Sequence, residues 1–392
     1  MKNSVHWLFI EPYVYINVNL DKALLYNTLN GKLIECESKT MPYSLIKNLN
    51  KDKNLFVVKL PENFQENTDL QFFVQKIRDF FIGDVLTLPK NAAKPFQMKP
   101  IFNIQRDLKI MQESEEASLG TKIMQELTNV GIQINSKNVE LNLQYIDKIF
   151  NDLAGSNIEN VNITGSNIFE YSALKKLIQL LKKYDYHAEF GVNSESINFN
   201  NLQMFSDKNL IINVLIHNYN NIELLSEKML SIKAQNVKYF FTFIVESEKD
   251  CTFAEDLINE LGISEFSIKP FFNGKNLAFF SDNVFLTKDD ILEANPSVSK
   301  IYARQVVNQN YYGKLIIQSN GDVYANLNGE KLGNIDKGTL HEFAYKEMKF
   351  GKSWRKTRNS VKPCNKCIYK FLCPPVSNYE YEIGKFNLCN LR

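Results

Sequence analysis

The chain has 392 residues, and 46 Lys and Arg nearly balance 44 Asp and Glu, giving a net charge of +2. This balance provides little electrostatic attraction to nucleic acid, so no nucleic-acid partner is expected. Apolar residues make up 44% of the chain, enough for a substantial core, and the length suits two or three domains. The sequence shows no run of eighteen apolar residues and no secretory signal, so we expect no membrane segment and a cytoplasmic location.

Residues 1–95 alternate short strands and helices, which predicts a small α+β module. Asn30-Gly31 favours a tight turn between two strands. A helix is expected to begin at Asn67 or Thr68. Its apolar face contains Leu70, Phe73, Val74, Ile77, Phe80 and Phe81. Two interpretations stay open: the module resembles winged-helix elements that bind leader peptides by strand addition, or it is a β layer packed on the barrel.

Residues 96–305 alternate strands and amphipathic helices. One predicted helix has an inward stripe of Leu143, Ile146, Ile149, Phe150 and Leu153, and another has Leu174, Leu177, Ile178 and Leu181. The apolar segment 209–216 is typical of a strand that helices cover on both faces. This alternation predicts a parallel sheet, which right-handed crossovers would curl into a full or partial barrel.

Four cysteines form a cluster near the carboxyl end of the sequence, spaced C-x2-C-x5-C-x15-C: Cys364, Cys367, Cys373 and Cys389. Two disulfides are one interpretation, which the absence of a secretory signal disfavours. Structural zinc is a second, although zinc sites usually pair two short C-x2-C hooks. An iron–sulfur cluster is the third and tolerates the wide last spacing. The other cysteines, Cys36 and Cys251, are isolated, and the four histidines lack metal-ligand spacing.

The cysteine spacing and the upstream segment 315–335, which ends in Leu-Gly-Asn-Ile, resemble the SPASM extensions of radical S-adenosylmethionine (radical SAM) peptide-modifying enzymes. The resemblance implies that the four cysteines hold the second auxiliary 4Fe–4S cluster of such domains. Ligands for the first cluster are missing, because Asn326 and Ser377 occupy two expected cysteine positions and residues 305–312 contain none. One cluster is therefore expected, with zinc as the alternative.

The segment from Asn157 resembles one unit of the radical SAM barrel, with Gly165, Ser166 and Asn167 where the family has Gly-Gly-Glu. The resemblance implies loss of the acid that binds the methionine ammonium group. The cluster motif C-x3-C-x2-C is also absent, since residues 99–131 contain neither Cys nor His. The acidic residues of that stretch are interpreted as a solvated charge run: Glu113, Glu115 and Glu116.

The resemblance therefore implies a pseudo-radical-SAM protein, similar to the degenerate chains of Bacteroidetes peptide-maturation systems with double-glycine leader peptides. The expected α/β architecture is a degenerate partial (β/α) radical-SAM-like barrel at 96–305. The α+β module 1–95 precedes it, and a SPASM-like cluster-binding domain, 306–392, follows. Such a chain is expected to lack catalytic residues and bound S-adenosylmethionine, and to form a heterodimer with an active radical SAM maturase, a precursor peptide being a further partner.

Two alternatives remain. In the first, the chain is an enzyme that uses the barrel mouth for non-radical chemistry on a small molecule or peptide. In the second, it is a leader-peptide carrier with a structural zinc or cluster. Candidate residues at the mouth are Ser166, Asn167, His217, Asn218 and Glu246. The basic run 352–358 is interpreted as a solvated patch, with attraction of an acidic peptide or partner surface as the alternative.

Overall fold

The structure, a computed structural model, describes residues 4–98, 122–219 and 221–391. The amino-terminal elements are β1 (Ser4–Ile10), β2 (Val14–Val18), β3 (Lys22–Asn27), β4 (Leu33–Glu37), α1 (Met41–Leu49), β5 (Val57–Lys59), α2 (Thr68–Asp79) and β6 (Gly83–Pro89). Their strands form two antiparallel sheets, ordered β5-β1-β6 and β2-β3-β4. Apolar residues of both sheets and both helices share one core. The α+β composition predicted for this part is what the structure shows.

Helix α2 begins and ends where its side chains find partners. The Asn67 side chain accepts a hydrogen bond from the Leu70 N–H at 3.0 Å, so Asn67 caps the helix. Four of the predicted apolar-face residues are buried: Leu70, Phe73, Val74 and Ile77. The prediction for Phe81 was wrong, because the helix ends at Asp79 and Phe81 is 70% exposed at a φ of +53°.

The central elements are β7 (Asn129–Ser136), β8 (Val139–Glu140), α3 (Leu143–Leu153), β9 (Asn160–Gly165), α4 (Leu174–Lys183), β10 (His187–Asn193), β11 (Leu210–Ile216), α5 (Ile222–Lys233), β12 (Lys238–Val245), α6 (Glu248–Glu260) and β13 (Phe266–Pro270). Strands β7 and β9 to β13 lie side by side in chain order, and every pairing among them is parallel. The predicted parallel sheet is therefore confirmed. Sequential order, without a reversal point, is the arrangement of barrel-type rather than doubly wound sheets.

Helices cover one face of this sheet. Strand β11 buries Leu210, Ile212, Val214 and Ile216, whereas Ile211 on the other face is exposed. On that second face the Asn213 amide donates to the Glu189 carboxylate at 2.7 Å and accepts from the Thr242 hydroxyl at 2.8 Å. Within the described residues this second face is not the apolar face that a helix would cover, so the expectation of helices on both faces gains no support there; Asn213 interrupts the apolar run and belongs to a polar row across neighbouring strands.

The carboxyl-terminal elements are α7 (Leu277–Asn283), α8 (Lys288–Glu293), α9 (Val298–Val306), β14 (Lys314–Ile317), β15 (Asp322–Tyr324), β16 (Gly333–Asn334), α10 (Leu340–Phe350) and α11 (Asn378–Ile383). Strand β14 pairs in parallel with β7, and the β14–β15 hairpin extends the central sheet. The sheet thus crosses residue 305, and the domain boundaries at 95 and 305 stay predictions. None of the helices in the described ranges is long and apolar enough to pass through a lipid bilayer.

Candidate metal centre

The backbone of the carboxyl-terminal segment positions the four cysteines. Cys364 and Cys367 belong to one turn, in which the Cys367 N–H donates to the Cys364 carbonyl at 2.9 Å. The Cys373 N–H donates to the Tyr369 carbonyl at 3.1 Å, which closes the next turn. Cys389 lies on a bridge to Leu286, where the Leu286 N–H donates to the Leu388 carbonyl at 3.1 Å. Residues far apart in the sequence thus reach one neighbourhood.

The four thiols interact electrostatically. Burial raises the pKa of Cys364 and of Cys367, and it raises the pKa of Cys373 to about 12. Negative charge on the neighbouring cysteines raises these pKa values further, while the Arg358 guanidinium lowers them. Four thiolates would therefore repel one another here unless a cation bound them, and metal binding is what deprotonates such thiols.

Groups around the thiols suit a negatively charged centre. The Tyr369 N–H donates to the Cys367 sulfur at 3.4 Å, the kind of hydrogen bond that orients a sulfur ligand in metal sites. Arg304 donates to the Leu372 carbonyl at 2.6 Å, and its charge interacts with Cys373. Arg358, 7% exposed, forms a two-pronged ion pair with Glu380, which is 1% exposed. Two guanidinium groups thus lie beside the four sulfurs.

Arg358 was missed in the sequence, because the basic run 352–358 was interpreted as solvated. The structure contradicts that interpretation for Trp354, Thr357 and Arg358, which are buried. Besides Glu380, the Arg358 guanidinium donates to the Pro374 carbonyl at 2.8 Å. A carboxylate and carbonyls satisfy its donors, so it fixes the chain between Cys373 and Cys389.

The donor set fits an iron–sulfur cluster in its chemistry: four cysteine thiols, an N–H···S bond and two adjacent cations. Among the residues described, no group of three or more His, Cys, Asp or Glu side chains is close enough together to hold a single metal ion. Each thiolate of a 4Fe–4S cluster binds a different iron, so its ligands are spread more widely than around one ion. Ligation by Cys364, Cys367, Cys373 and Cys389, and the choice between cluster and zinc, stay predictions.

The amino-terminal sheet β2-β3-β4 packs directly against the cysteine segment. Tyr15, Leu24 and Tyr26 share a core with residues of that segment and of α8 and α9. The carboxyl-terminal members of this core are Ile291, Ile301, Ile368, Tyr369, Phe371, Leu372 and Cys373. The Asn17 amide donates to the Ile368 carbonyl at 2.6 Å, and the Asn19 amide donates to the Lys366 carbonyl at 2.9 Å. Both carbonyls flank Cys367. No sequence pattern predicts this contact between the amino-terminal sheet and the cysteine segment.

The two positions expected for first-cluster ligands carry hydrogen-bonding side chains. Asn326 is buried beside Tyr311, whose hydroxyl donates to the Asn378 side chain at 2.7 Å. Ser377 begins α11 and forms a capping box with Glu380, the partner of Arg358. Aromatic rings fill the space nearby, with Tyr311 edge-on to Tyr381 at 5.6 Å. These side chains provide no thiolate.

The Gly165-Ser166-Asn167 segment lies at the carboxyl end of β9, as the radical SAM resemblance predicts. There the Asn167 side chain accepts from the Phe169 N–H at 3.1 Å and donates to the Glu170 carboxylate at 2.9 Å. The oxygen and the nitrogen of the Asn167 side-chain amide thus both form hydrogen bonds within the turn that contains Asn167. The predicted charge run of Glu113, Glu115 and Glu116 lies outside the described residues.

The other candidate residues lie where predicted, after parallel strands, but form no shared site. His217 and Asn218 follow β11, and Glu246 follows β12. Asn218 donates to the Glu195 carboxylate at 3.0 Å, while Glu246 accepts from Asn273 at 2.7 Å. These bonds run to neighbouring loops. The placement at the sheet edge is confirmed, and a catalytic role for these residues stays a prediction.

Comparison with solved structures finds proteins to which this chain is similar. The alignment with the crystal structure of Streptococcus suis SuiB spans 98% of this chain and 100% of the SuiB chain. The sequence identity is 12% and the TM-score is 0.50. SuiB bound to the precursor peptide SuiA gives a TM-score of 0.49 at 13% identity, with the same coverage. The alignment with native anSMEcpe with bound AdoMet and Cp18Cys peptide spans 62% of this chain and 87% of the anSMEcpe chain. The sequence identity is 13% and the TM-score is 0.46.

No protein-family model matches the chain, and no curated protein matches it. At 12% identity the likeness to SuiB shows the fold alone. The chain therefore has a radical-SAM-like α/β fold with a large parallel sheet.

Proposed function

We propose that this chain is a non-catalytic partner subunit of an active radical SAM/SPASM peptide maturase. It binds the maturase, the precursor peptide or both, and holds one 4Fe–4S cluster through Cys364, Cys367, Cys373 and Cys389. The observation that supports this most is the contrast between two sites on one radical-SAM-like fold. The carboxyl-terminal site has four interacting thiols, whereas residues 99–131 contain no Cys or His.

The barrel position supports the same proposal. In an active radical SAM enzyme the acid after the Gly-Gly pair binds the cofactor's ammonium group. Here the matching side chain is the neutral amide of Asn167, engaged with Phe169 and Glu170. A charge-assisted hydrogen bond to an ammonium group contributes roughly 1.5–3 kcal/mol, which this position does not supply. We therefore expect no S-adenosylmethionine binding.

At the metal centre, this chain's own residues hold the ligand loops in place. Arg358 and Glu380 fix the segment between the third and fourth cysteines, and Leu286 fixes Cys389. Arg304 and Arg358 offset the charge of bound thiolates. A fully ligated 4Fe–4S cluster supplies one-electron transfer and leaves no iron open to substrate.

The experiment is anaerobic co-expression of this chain with an active radical SAM/SPASM maturase and its precursor peptide from the same organism. We expect the two chains to co-elute as a heterodimer, and peptide modification to require both. Absence of a complex, together with full modification by the maturase alone, would refute the proposal. Thermal denaturation with S-adenosylmethionine separates the enzyme alternative, because a clear rise in melting temperature would indicate a working cofactor site.

A further inference from the structure

A cavity of about 830 Å³ lies in the carboxyl-terminal part, apart from the cysteines. Three segments line it: residues 325–332 before β16, the carboxyl-terminal end of α10, and residues 351–356 of the basic run. Phe350, at its rim, is largely exposed. Its volume lies within the usual range of ligand pockets and far exceeds the space that one inorganic anion needs.

The lining is cationic, with five basic residues against two acidic ones: Lys331, Lys346, Lys352, Arg355 and Lys356 against Glu330 and Glu347. Two of the cations are paired, Lys331 with Asp322 and Lys352 with Glu330. The other three have no ion pair within the described ranges. Lys346 donates to the Leu332 carbonyl at 2.6 Å, which uses one of its three donors.

Arg355 and Lys356 are partly dehydrated cations. Burial lowers the pKa of both side chains. The Arg355 guanidinium stacks over the Trp354 ring at 3.9 Å and donates to backbone carbonyls such as that of Met348. The Lys356 ammonium lies 3.7 Å from the centre of the Phe386 ring. A cation removed from water gains most from a nearby anion, and in this lining Arg355 has only the partly protonated Glu347 for that purpose.

Two buried side chains on the cavity wall each have one polar atom with an incomplete set of partners, although the Asn326 Oδ1 accepts from the Asn328 N–H at 2.9 Å. Asn326 is 5% exposed, and its Nδ2 meets no acceptor. Glu347 is also 5% exposed, and its Oε1 is unpartnered. Burial raises the pKa of Glu347 to about 7, so a substantial fraction of its carboxyl groups is protonated near neutral pH and can then donate a hydrogen bond. An acceptor-rich ligand would therefore find a donor in the Asn326 amide and, in its protonated form, in the Glu347 carboxyl group.

We infer that this cavity binds an acidic segment of polypeptide, with carboxylates near Lys346, Arg355 and Lys356 and an apolar side chain against Phe350. A peptide fits better than a phosphate group for two reasons. The cations come from two separate segments rather than one converging loop, and apolar surface of Leu332, Phe350 and Tyr381 lies among them. The inference goes beyond the proposed function and does not depend on a cluster at the cysteines.

The test uses the full chain and a fluorescein-labelled six-residue peptide of alternating Glu and Leu, followed by fluorescence anisotropy. We expect binding that the Lys346→Gln/Lys356→Gln double variant weakens at least about tenfold, equivalent to about 1.4 kcal/mol. The matched control is Lys175→Gln/Lys176→Gln, two outward lysines of α4, which should leave the dissociation constant within about twofold. A peptide of alternating Gln and Leu should not bind.

Two outcomes would overturn the inference: equal weakening by both double variants, or complete displacement of the peptide by inorganic phosphate, which would indicate a small-anion site. If the cavity variant does not fold, acetylation of wild-type lysines followed by mass spectrometry gives the answer. Peptide binding should protect Lys346 and Lys356 but leave Lys175 reactive. Equal acetylation of all three lysines with and without peptide would refute the site.

Discussion

Glu347 shows what a single buried carboxyl group does to this fold. It lies at the carboxyl-terminal end of α10, and Gly351 allows it to approach the backbone, because a Cβ at Gly351 would collide with its carboxyl carbon. Burial raises its pKa from 4.5 to about 7, while the charge of Arg355 opposes the rise. The ionised form is therefore disfavoured in the folded protein.

This shift predicts a pH-dependent effect of Glu347→Gln. Above pH 7 the carboxylate is charged in both the folded and the unfolded protein, and its burial destabilises the folded state. As the pH falls from about 7 towards 4.5, the folded protein takes up the proton before the unfolded chain does, and the free-energy cost of burying the charge disappears. We expect the Gln variant to be more stable than wild type at pH 8, by on the order of 3 kcal/mol at most, with the difference nearly vanishing at about pH 4. Melting temperatures at both pH values provide the measurement. The exposed Glu265→Gln is the control, and an equal effect of Glu347→Gln at the two pH values would contradict the account.

The sequence indicated the ligand candidates but not their surroundings. Cys364 to Cys389 are recognisable because metal-binding thiols need particular spacings along the chain. Arg358 was not recognisable, because a basic run gives the same pattern whether its side chains are solvated or buried. Its burial depends on Glu380 and the Pro374 carbonyl, which only the folded chain brings together.

At the scale of elements, the contact between the β2-β3-β4 sheet and the cysteine segment connects the two ends of the chain. Strand β3 directs Leu24 and Tyr26 into a core with Ile368, Phe371 and Cys373. At its edge, Lys288 forms an ion pair with Glu35 at 2.5 Å. The sheet thus supports the loop that carries the proposed ligands. This contact is with the cysteine segment and not with the barrel that the packed-layer interpretation names, so peptide binding and packing on the barrel both stay predictions for the module.

Removing the two amide anchors should therefore loosen the ligand loop. We expect Asn17→Ala/Asn19→Ala to lose about 2 kcal/mol of local stability, because two hydrogen bonds to the Ile368 and Lys366 carbonyls disappear. Hydrogen exchange of the backbone amides in residues 366–369 should then accelerate about tenfold or more.

The control is Asn54→Ala, whose amide donates to the Asn48 carbonyl within the amino-terminal part. It should leave exchange in residues 366–369 unchanged. Unaltered exchange in the double variant would mean that the amino-terminal sheet does not support the cysteine loop.

At the scale of the whole molecule, local patterns predicted the parallel sheet, whereas distant pairings were not predictable. The stripe Leu174, Leu177, Ile178 and Leu181 is buried as expected, because an amphipathic helix is encoded within its own turns. The pairing of β14 with β7 joins Lys314 to Asn129, and nothing local to either segment encodes it. The polar face of the sheet also escaped prediction, because one Asn in an apolar strand does not reveal which face helices leave open.

The measurement that most directly tests the central claim is the content of iron, acid-labile sulfide and zinc after strictly anaerobic purification. We predict about four irons and four sulfides per chain. Cys367→Ala should lose them, while the matched control Cys251→Ala, remote from the site in sequence, should keep them. About one zinc without sulfide, or metal content that does not change in Cys367→Ala, would contradict the assignment of a 4Fe–4S cluster to this site.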